Sequence, residues 1–275
     1  MAITAADVMK LRKATGAGMM DCKKALAESD GDFDAAVQII REKGKLVASK
    51  RSDREASEGV VLAGVSDDNK FGAIVVLNCE TDFVAKNEDF IKTTQKFLDT
   101  AIANKPADLD ALKALEVDGR TVEAHVTEQT GVIGEKIELS FYGKVDAESV
   151  IPYIHPGNKL ATLVGFNKDG VDTQVMKDVA MQVAAMNPVA VDKDNVPQEV
   201  VEKELEIAKE KFRQEGKPEA MLDKIAQGSL NKFFKENTLL NQAFVKDNKQ
   251  TVKDYLKSTD GDLTVTEFIR FGLTE

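Results

Sequence analysis

Few residues in this chain have side chains suited to covalent or metal chemistry. It holds two cysteines, Cys22 and Cys79, and two histidines, His125 and His155. A cysteine nucleophile needs thiolate character and a nearby base. The four residues form no CxxC pair and no HExxH helix, so zinc is not expected. There is no GxxxxGK[ST] phosphate loop, and Gly16-Ala-Gly18 lies between helical patterns instead of after a strand, which makes it a poor dinucleotide signature. Asp260-Gly261 with Glu267 imitates half of a calcium loop. With Gly261 at the sixth position, however, the first falls on Leu256, which offers no carboxylate. Buried, inert thiols are the expected state of both cysteines. No catalytic residue, cofactor or metal is expected.

Binding is the chemistry that remains, and one stretch stands out for it: Asn78-Cys-Glu-Thr-Asp-Phe-Val-Ala-Lys-Asn87. Before it, Gly72 to Leu77 is an apolar, β-branched run that reads as a buried strand. After it, Phe90, Ile91, Thr94, Phe97, Leu98, Ala101 and Ile102 recur at helical spacing, with Asn87, Glu88 and Asp89 at the start. A strand-to-helix connection needs fewer residues than this. A second copy of the pattern measures the surplus. The strand Ala161 to Asn167 also ends in Asn, and its helix (Val175, Val179, Val183, Met186) ends at Asn187-Pro188, as the first ends near Asn104-Lys105-Pro106. The two Asn stand 89 positions apart and the two Pro only 82, so the first copy carries seven extra residues, placed in or near CETDFVAKN. Insertions into a repeated unit map to loops, and loops carry function. Spacing alone nevertheless favours a plainer role for Phe83. It lies seven residues before Phe90 and fourteen before Phe97, as a member of a buried helical stripe would.

Composition narrows the class. With 275 residues and 43% hydrophobic content, the chain can bury a sizeable core and is expected to divide into more than one unit. No apolar run approaches the roughly 18 residues of a membrane span. MAITAADVMKLRK lacks the apolar centre of a signal peptide. Two distant cysteines fit a reducing, cytoplasmic setting. A net charge of −10 argues against nucleic acid as the main ligand, because phosphate neutralisation needs a basic surface. A protein partner or a small ligand is left.

Along the chain, Thr4 with Asp7 makes a capping-box-like start to a first helix carrying Val8 and Leu11. Gly16-Ala-Gly18 breaks it. A second helix holds Met19, Cys22, Ala25 and Leu26, and a third holds Phe33, Val37 and Ile40, which makes a small bundle of the ubiquitin-associated kind. Gly44 to Ser57, including Lys50, Arg51 and Arg54, reads as a solvated linker or the frayed end of the third helix. Strands are expected at 59–65 and 71–77, and a period-two pattern predicts another at 135–142. Helix-like runs cover 109–115 and 122–129. The second unit follows with strands at 150–155 and 160–166. Val201, Leu205, Ala208 and Phe212, then Met221, Leu222, Ile225, Ala226 and Leu230, predict an antiparallel helical hairpin of coiled-coil type. A helix at 251–257 and a strand at 264–271 close the chain. The expected fold is α+β, with two duplicated subdomains built on antiparallel sheets. The division is 1–54 for the bundle with its linker, 55–148 for the first subdomain, 149–187 with 236–275 for the second, and 188–235 for the inserted hairpin.

Two segments carry a resemblance. Leu11-Arg-Lys-Ala-Thr-Gly-Ala-Gly-Met-Met-Asp-Cys-Lys-Lys-Ala-Leu26 and Asn78-Cys-Glu-Thr-Asp-Phe-Val-Ala-Lys-Asn-Glu-Asp-Phe90 look like the two signature segments of the elongation factor Ts family. The likeness covers nearly the whole chain, including Phe268-Ile-Arg-Phe271. It implies a guanine nucleotide exchange factor that binds elongation factor Tu, GDP-bound or nucleotide-free, and speeds GDP release without making or breaking bonds. It further implies that Arg12, Met19, Met20 and the Thr81-Asp82-Phe83-Val84 segment meet the partner's GTP-binding domain, that His155 meets another domain, and that Asn78 also serves partner binding. In the family the aromatic of this motif enters a pocket between partner helices and disturbs the Mg²⁺ and phosphate site, which reassigns Phe83 from core to wedge. Some members continue into a C-terminal helical module, whereas this sequence stops at Glu275. Relatives often have a Gly-rich turn with Arg where this chain has His155-Pro-Gly-Asn-Lys159. The reading from another class is a non-catalytic interaction scaffold bearing the ubiquitin-associated-like module.

Overall fold

A computed structural model describes residues 3–274. It opens with three helices, α1 (Ala5–Thr15), α2 (Met19–Glu28) and α3 (Phe33–Lys50). The Thr4 hydroxyl accepts the Asp7 amide while the Asp7 carboxylate accepts the Thr4 amide, so two of the free donors at the start of α1 are satisfied. Gly16 closes α1 at φ 70°, a conformation that strains any residue with a β-carbon. Asp32 caps α3. Val8, Leu11, Ala17, Cys22, Ala25, Leu26 and Ala36 pack together as the small core of the three.

The third helix is longer than its apolar stripe suggests. Gly44, expected in a linker, is helical and buried because α3 crosses α7 (Val122–Ile133) there, and a β-carbon on Gly131 would lie 2.4 Å from the Gly44 Cα. Glycine at position 131 is what permits backbones so close. Beside the crossing a cavity of about 270 Å³ is lined in part by Val37, Ile40 and Val132 and by Arg41, Arg120 and Glu128. Arg41 lies 3.2 Å from the Glu128 carboxylate, which Arg120 also pairs.

The remaining elements alternate between sheet and helix. β1 (Glu58–Val65), β2 (Phe71–Cys79) and β5 (Glu138–Asp146) form one sheet with β2 in the middle. β2 leads through α4 (Asp82–Ala85) into α5 (Glu88–Asn104), followed by α6 (Leu109–Ala114) and the two-residue strands β3 (Glu116–Val117) and β4 (Arg120–Thr121). β6 (Ser149–Ile154), β7 (Leu160–Phe166) and β10 (Val265–Gly272) form a second antiparallel sheet with β7 in the middle, and β7 leads into α8 (Thr173–Met186). α9 (Gln198–Gln214) and α10 (Glu219–Asn237) follow, then β8 (Ala243–Phe244), β9 (Asp247–Thr251) and α11 (Val252–Thr259). Helices combined with antiparallel strands make this an α+β fold.

The chain divides into two compact units. One comprises the residues up to Leu62 with Val75–Gly143 and the end of the chain from Leu273, the other Ala63–Ile74 with Lys144–Gly272. In the first, α5 buries Phe90, Thr94, Phe97, Leu98 and Ala101 along one face. In the second, Val164 and Phe166 of β7 meet Val179 and Val183 of α8, with Leu239, Leu240, Val252 and Leu256 completing the core. α9 and α10 turn at Gly216, and Ala208, Leu222, Ala226 and Leu230 are buried. Met221, expected in that stripe, is exposed.

Both long helices leave their sheets with a left-handed residue followed by proline, Lys105-Pro106 after α5 and Asn187-Pro188 after α8. Their lengths locate the seven surplus residues. α5 spans 17 residues against 14 for α8, so three lengthen the helix and four lie between Asn78 and Glu88. The insertion is thus smaller than expected in the connection itself, yet large enough to build α4.

Candidate functional site

Every residue of β2 is buried, including Asn78 and Cys79 at its end. The Asn78 side chain donates to the Glu58 carbonyl at 3.2 Å and accepts from the Ser140 hydroxyl, tying β2 to both neighbouring strands. The Cys79 thiol donates to the Thr81 carbonyl at 3.2 Å. Burial, and then the nearby Glu135 carboxylate, push that thiol up to about 12, so it stays protonated. Cys22 is equally buried, with its thiol toward the Ala17 carbonyl. Neither sulfur has the environment of a nucleophile.

Thr81 caps α4 by accepting the Val84 amide. Within this single turn Ala85 is buried and Asp82 pairs with Lys86 at 2.6 Å, which holds the lysine above its ordinary range. Phe83 points away from the protein, 84% exposed. Its seven-residue spacing from Phe90 does not place it on the α5 stripe because the helix is interrupted. Asn87 is extended (ψ 129°) and caps α5 by accepting the Asp89 amide, which turns the preceding residues off the helical face.

Two carboxylates secure the base of this projection. Glu135 accepts the backbone amides of Glu80 at 3.1 Å and Thr81 at 3.0 Å, and the Thr81 hydroxyl at 2.7 Å. Glu80 in return accepts the Lys136 amide at 2.6 Å and the guanidinium groups of Arg51 and Arg54 at 3.0 Å each. The Lys136 amide, outweighing the cost of burial, and the two arginines hold Glu80 below the usual carboxylate range. The run from Gly44 to Ser57, expected as a linker or the frayed end of the third helix, is therefore helical to Lys50 and anchored beyond it: Lys136 also reaches the Ser52 carbonyl at 3.0 Å. The strand expected at 135–142 begins only at Glu138, since Glu135 and Lys136 are engaged in this exchange.

The other residues singled out by sequence fall in two places. Arg12 is exposed on α1, and with Met9, Lys13, Gly16 and Asp89 it lines one open concavity, which brings the first helix to the start of α5. Met19 and Met20 are both exposed, at 43% and 65%, in the first turn of α2. Thr81 to Val84, Arg12 and the two methionines all belong to the first unit. His155 belongs to the second, exposed at the turn after β6, with its Nδ1 2.9 Å from the Tyr153 hydroxyl. His125 is half-buried, its Nε2 2.7 Å from the Val117 carbonyl. The sequence assigned no site role to Glu80, Glu135, Arg51 or Arg54. Some 55 positions separate the two glutamates, and no periodic pattern links them. Among the described residues there is no group of three or more His, Cys, Asp or Glu placed to hold a metal, and no helix long and apolar enough to cross a membrane.

The site is an aromatic side chain displayed on a braced, one-turn helix. Comparison with known proteins names the class. The model of the family described as elongation factor TS matches residues 80–275. The chain is 56% identical over 273 residues to elongation factor Ts of Christiangramia forsetii, covering 98% of each chain. It is 56% identical over 274 residues, 99% of each, to that of Porphyromonas gingivalis, and 54% identical over 273 residues, 99% of each, to that of Azobacteroides pseudotrichonymphae. The chain belongs to the elongation factor Ts family.

Proposed function

We propose that this protein is the guanine nucleotide exchange factor for elongation factor Tu in translation elongation. It accelerates GDP release by inserting the Thr81-Asp82-Phe83-Val84 segment beside the partner's nucleotide site. The observation that carries this reading is Phe83, 84% exposed on a four-residue helix whose base is hydrogen-bonded through Glu80 and Thr81. A free protein gains nothing by holding a phenyl ring in water on an ordered turn, and buried aromatics are the usual anchors of an interface. Mg²⁺ neutralises charge on a bound guanine nucleotide. Moving the partner's ligands away from the ion, or bringing the Asp82 carboxylate near, weakens the nucleotide's hold. Linkage makes the effect reciprocal, so GDP weakens factor binding by the same ratio and exchange is reversible.

In this reading the three-helix bundle is a ubiquitin-associated-like module that presents Arg12, Met19 and Met20 to the GTP-binding domain. Methionine suits such a surface because it adapts its shape. Asn78 acts from behind, holding the end of β2, and His155 presents the second unit to another partner domain. The bundle with its linker spans 1–54, the two duplicated subdomains 55–148 and 149–187 with 236–275, and the coiled-coil-type hairpin 188–235. The protein works in the cytoplasm on GDP-bound and nucleotide-free partner, with neither nucleic acid nor membrane as a ligand and no bond-making step.

Stopped-flow release of labelled GDP from purified elongation factor Tu tests this. The expected result is a release rate that rises with added protein and saturates. A simple interaction scaffold would bind the partner and leave the rate unchanged, and that outcome would end the proposal.

A further inference from the structure

We infer that Glu80 and Glu135 are positioning residues for exchange: a reciprocal pair of carboxylates that sets the direction in which Phe83 points. The inference rests on the reading of Phe83 as the group that acts on the partner. Its geometric basis is the exchange of backbone amides between two segments. The Glu135 side chain takes both amides that precede α4, and the Glu80 side chain takes the amide that follows Glu135. Each chain segment is thereby fixed by the other's carboxylate, and every bond in the clasp is charge-assisted.

The clasp reaches Phe83 through Thr81. Because the Thr81 hydroxyl donates to Glu135, its remaining lone pairs accept the Val84 amide and cap α4. The orientation of that single turn, and of the ring on it, follows from where Thr81 is held. A four-residue helix has too few internal hydrogen bonds to hold itself. Without the clasp, the connection is free to fold its exposed ring against apolar surface. Only a fraction of molecules would then present it, and the effective activity would fall by that fraction. The second arm of the clasp extends to the bundle. Arg51 and Arg54 follow α3 directly, so their pairing with Glu80 joins the exit of the bundle to the root of the Phe83 turn.

The test is GDP release measured over a range of factor concentrations for wild type, Glu135→Ala, Glu135→Gln, Phe83→Ala and the Glu135→Ala/Phe83→Ala double variant, each checked for folding by urea unfolding. Loss of one charge-assisted anchor is expected to lower the saturating release rate about tenfold in Glu135→Ala. The half-saturating concentration should stay within about twofold, because docking by the rest of the surface is intact. Glu135→Gln, which keeps the size and an acceptor oxygen for the two amides but loses the charge and turns an NH2 donor toward the Thr81 hydroxyl, should fall between that variant and wild type. In the double variant the Glu135 substitution should add nothing to the loss caused by Phe83→Ala, since its effect passes through that ring. Additive losses would overturn the inference. So would an unchanged saturating rate, or a loss confined to the half-saturating concentration, which is the signature of a smaller folded fraction. Should Glu135→Ala fail to fold, Glu135→Gln decides by the same criteria. Normal exchange by Phe83→Ala would instead remove the wedge reading itself, and the clasp's role with it.

Discussion

Phe83 and Phe97 separate the cost of binding from the cost of folding. Phe97 is 1% exposed, and truncating it leaves a cavity in the α5 face, so Phe97→Ala should lose about 3–5 kcal/mol of stability in urea unfolding. Phe83 is 84% exposed and packs against nothing that a truncation would uncover. Phe83→Ala is therefore expected to unfold within about 0.5 kcal/mol of wild type, while its effect on GDP release falls sharply. A large stability loss with normal exchange by the folded fraction would return the ring to the core. Asp82→Ala should weaken exchange less, since a carboxylate at a solvated rim contributes less than a buried aromatic anchor. The sequence pointed to this residue and, by spacing alone, misplaced it. A heptad interval implies a shared face only where the helix is continuous, and here one helix ends at Lys86 and Asn87 caps the next. The cap was legible in Asn87-Glu88-Asp89; its effect on the stripe was the missing step. Glu135 was not legible at all, because a side chain that binds backbone amides 54 and 55 positions away leaves no local pattern.

The identities of the long helices and strands were legible because each carries its own periodicity, and their ends were less so because tertiary contacts set them. α3 continues through Gly44 only because α7 lies against it, and β5 starts late because the residues before it serve Glu80. The β3–β4 hairpin went unread although Asp118-Gly119, both at positive φ, is a strong local signal for a two-residue turn. Its strands are too short to show alternation. The crossing of α3 and α7 yields a prediction in which two chemically identical substitutions diverge. A β-carbon on Gly131 would stand 2.4 Å from the Gly44 Cα, so Gly131→Ala must push the helices apart and is expected to cost about 1–3 kcal/mol. A β-carbon on Gly44 meets the Gly131 Cα at an ordinary 3.6 Å. Gly44→Ala should be neutral or stabilising by up to about 1 kcal/mol, because alanine favours the helix. Equal urea midpoints for the two variants would show that the crossing is not tight.

Across the molecule, stability is expected to depend on pH through groups that hold their charge state by specific contacts. Asp178 shows this in the second unit. Burial opposes its charge, but hydrogen bonds from Lys246, Gln174 and Tyr255 outweigh burial and bring it below the ordinary carboxylate range. Glu80 is lowered in the first unit. A depressed carboxylate contributes fully above its unfolded value, about 3.9 for Asp and 4.3 for Glu, and its contribution is lost as pH falls through the folded value. Both units should therefore weaken in acid, below about pH 4. At the other end, burial and then the bond to Asp178 push the Tyr255 hydroxyl up to about 12. A raised acid favours folding below its unfolded value, near 10, and that contribution disappears as pH rises from there toward 12. Asp178→Asn isolates the acid limb. At pH 7 it leaves Lys246 and Tyr255 without their ionic acceptor and should cost about 1–3 kcal/mol. As pH falls below about 4 the wild type loses the same charge, so the gap between the two urea midpoints should narrow. A gap that stays constant from pH 7 to pH 3 would mean that Asp178 contributes by shape alone, and that its charge has no part in holding α8 to Lys246 and α11.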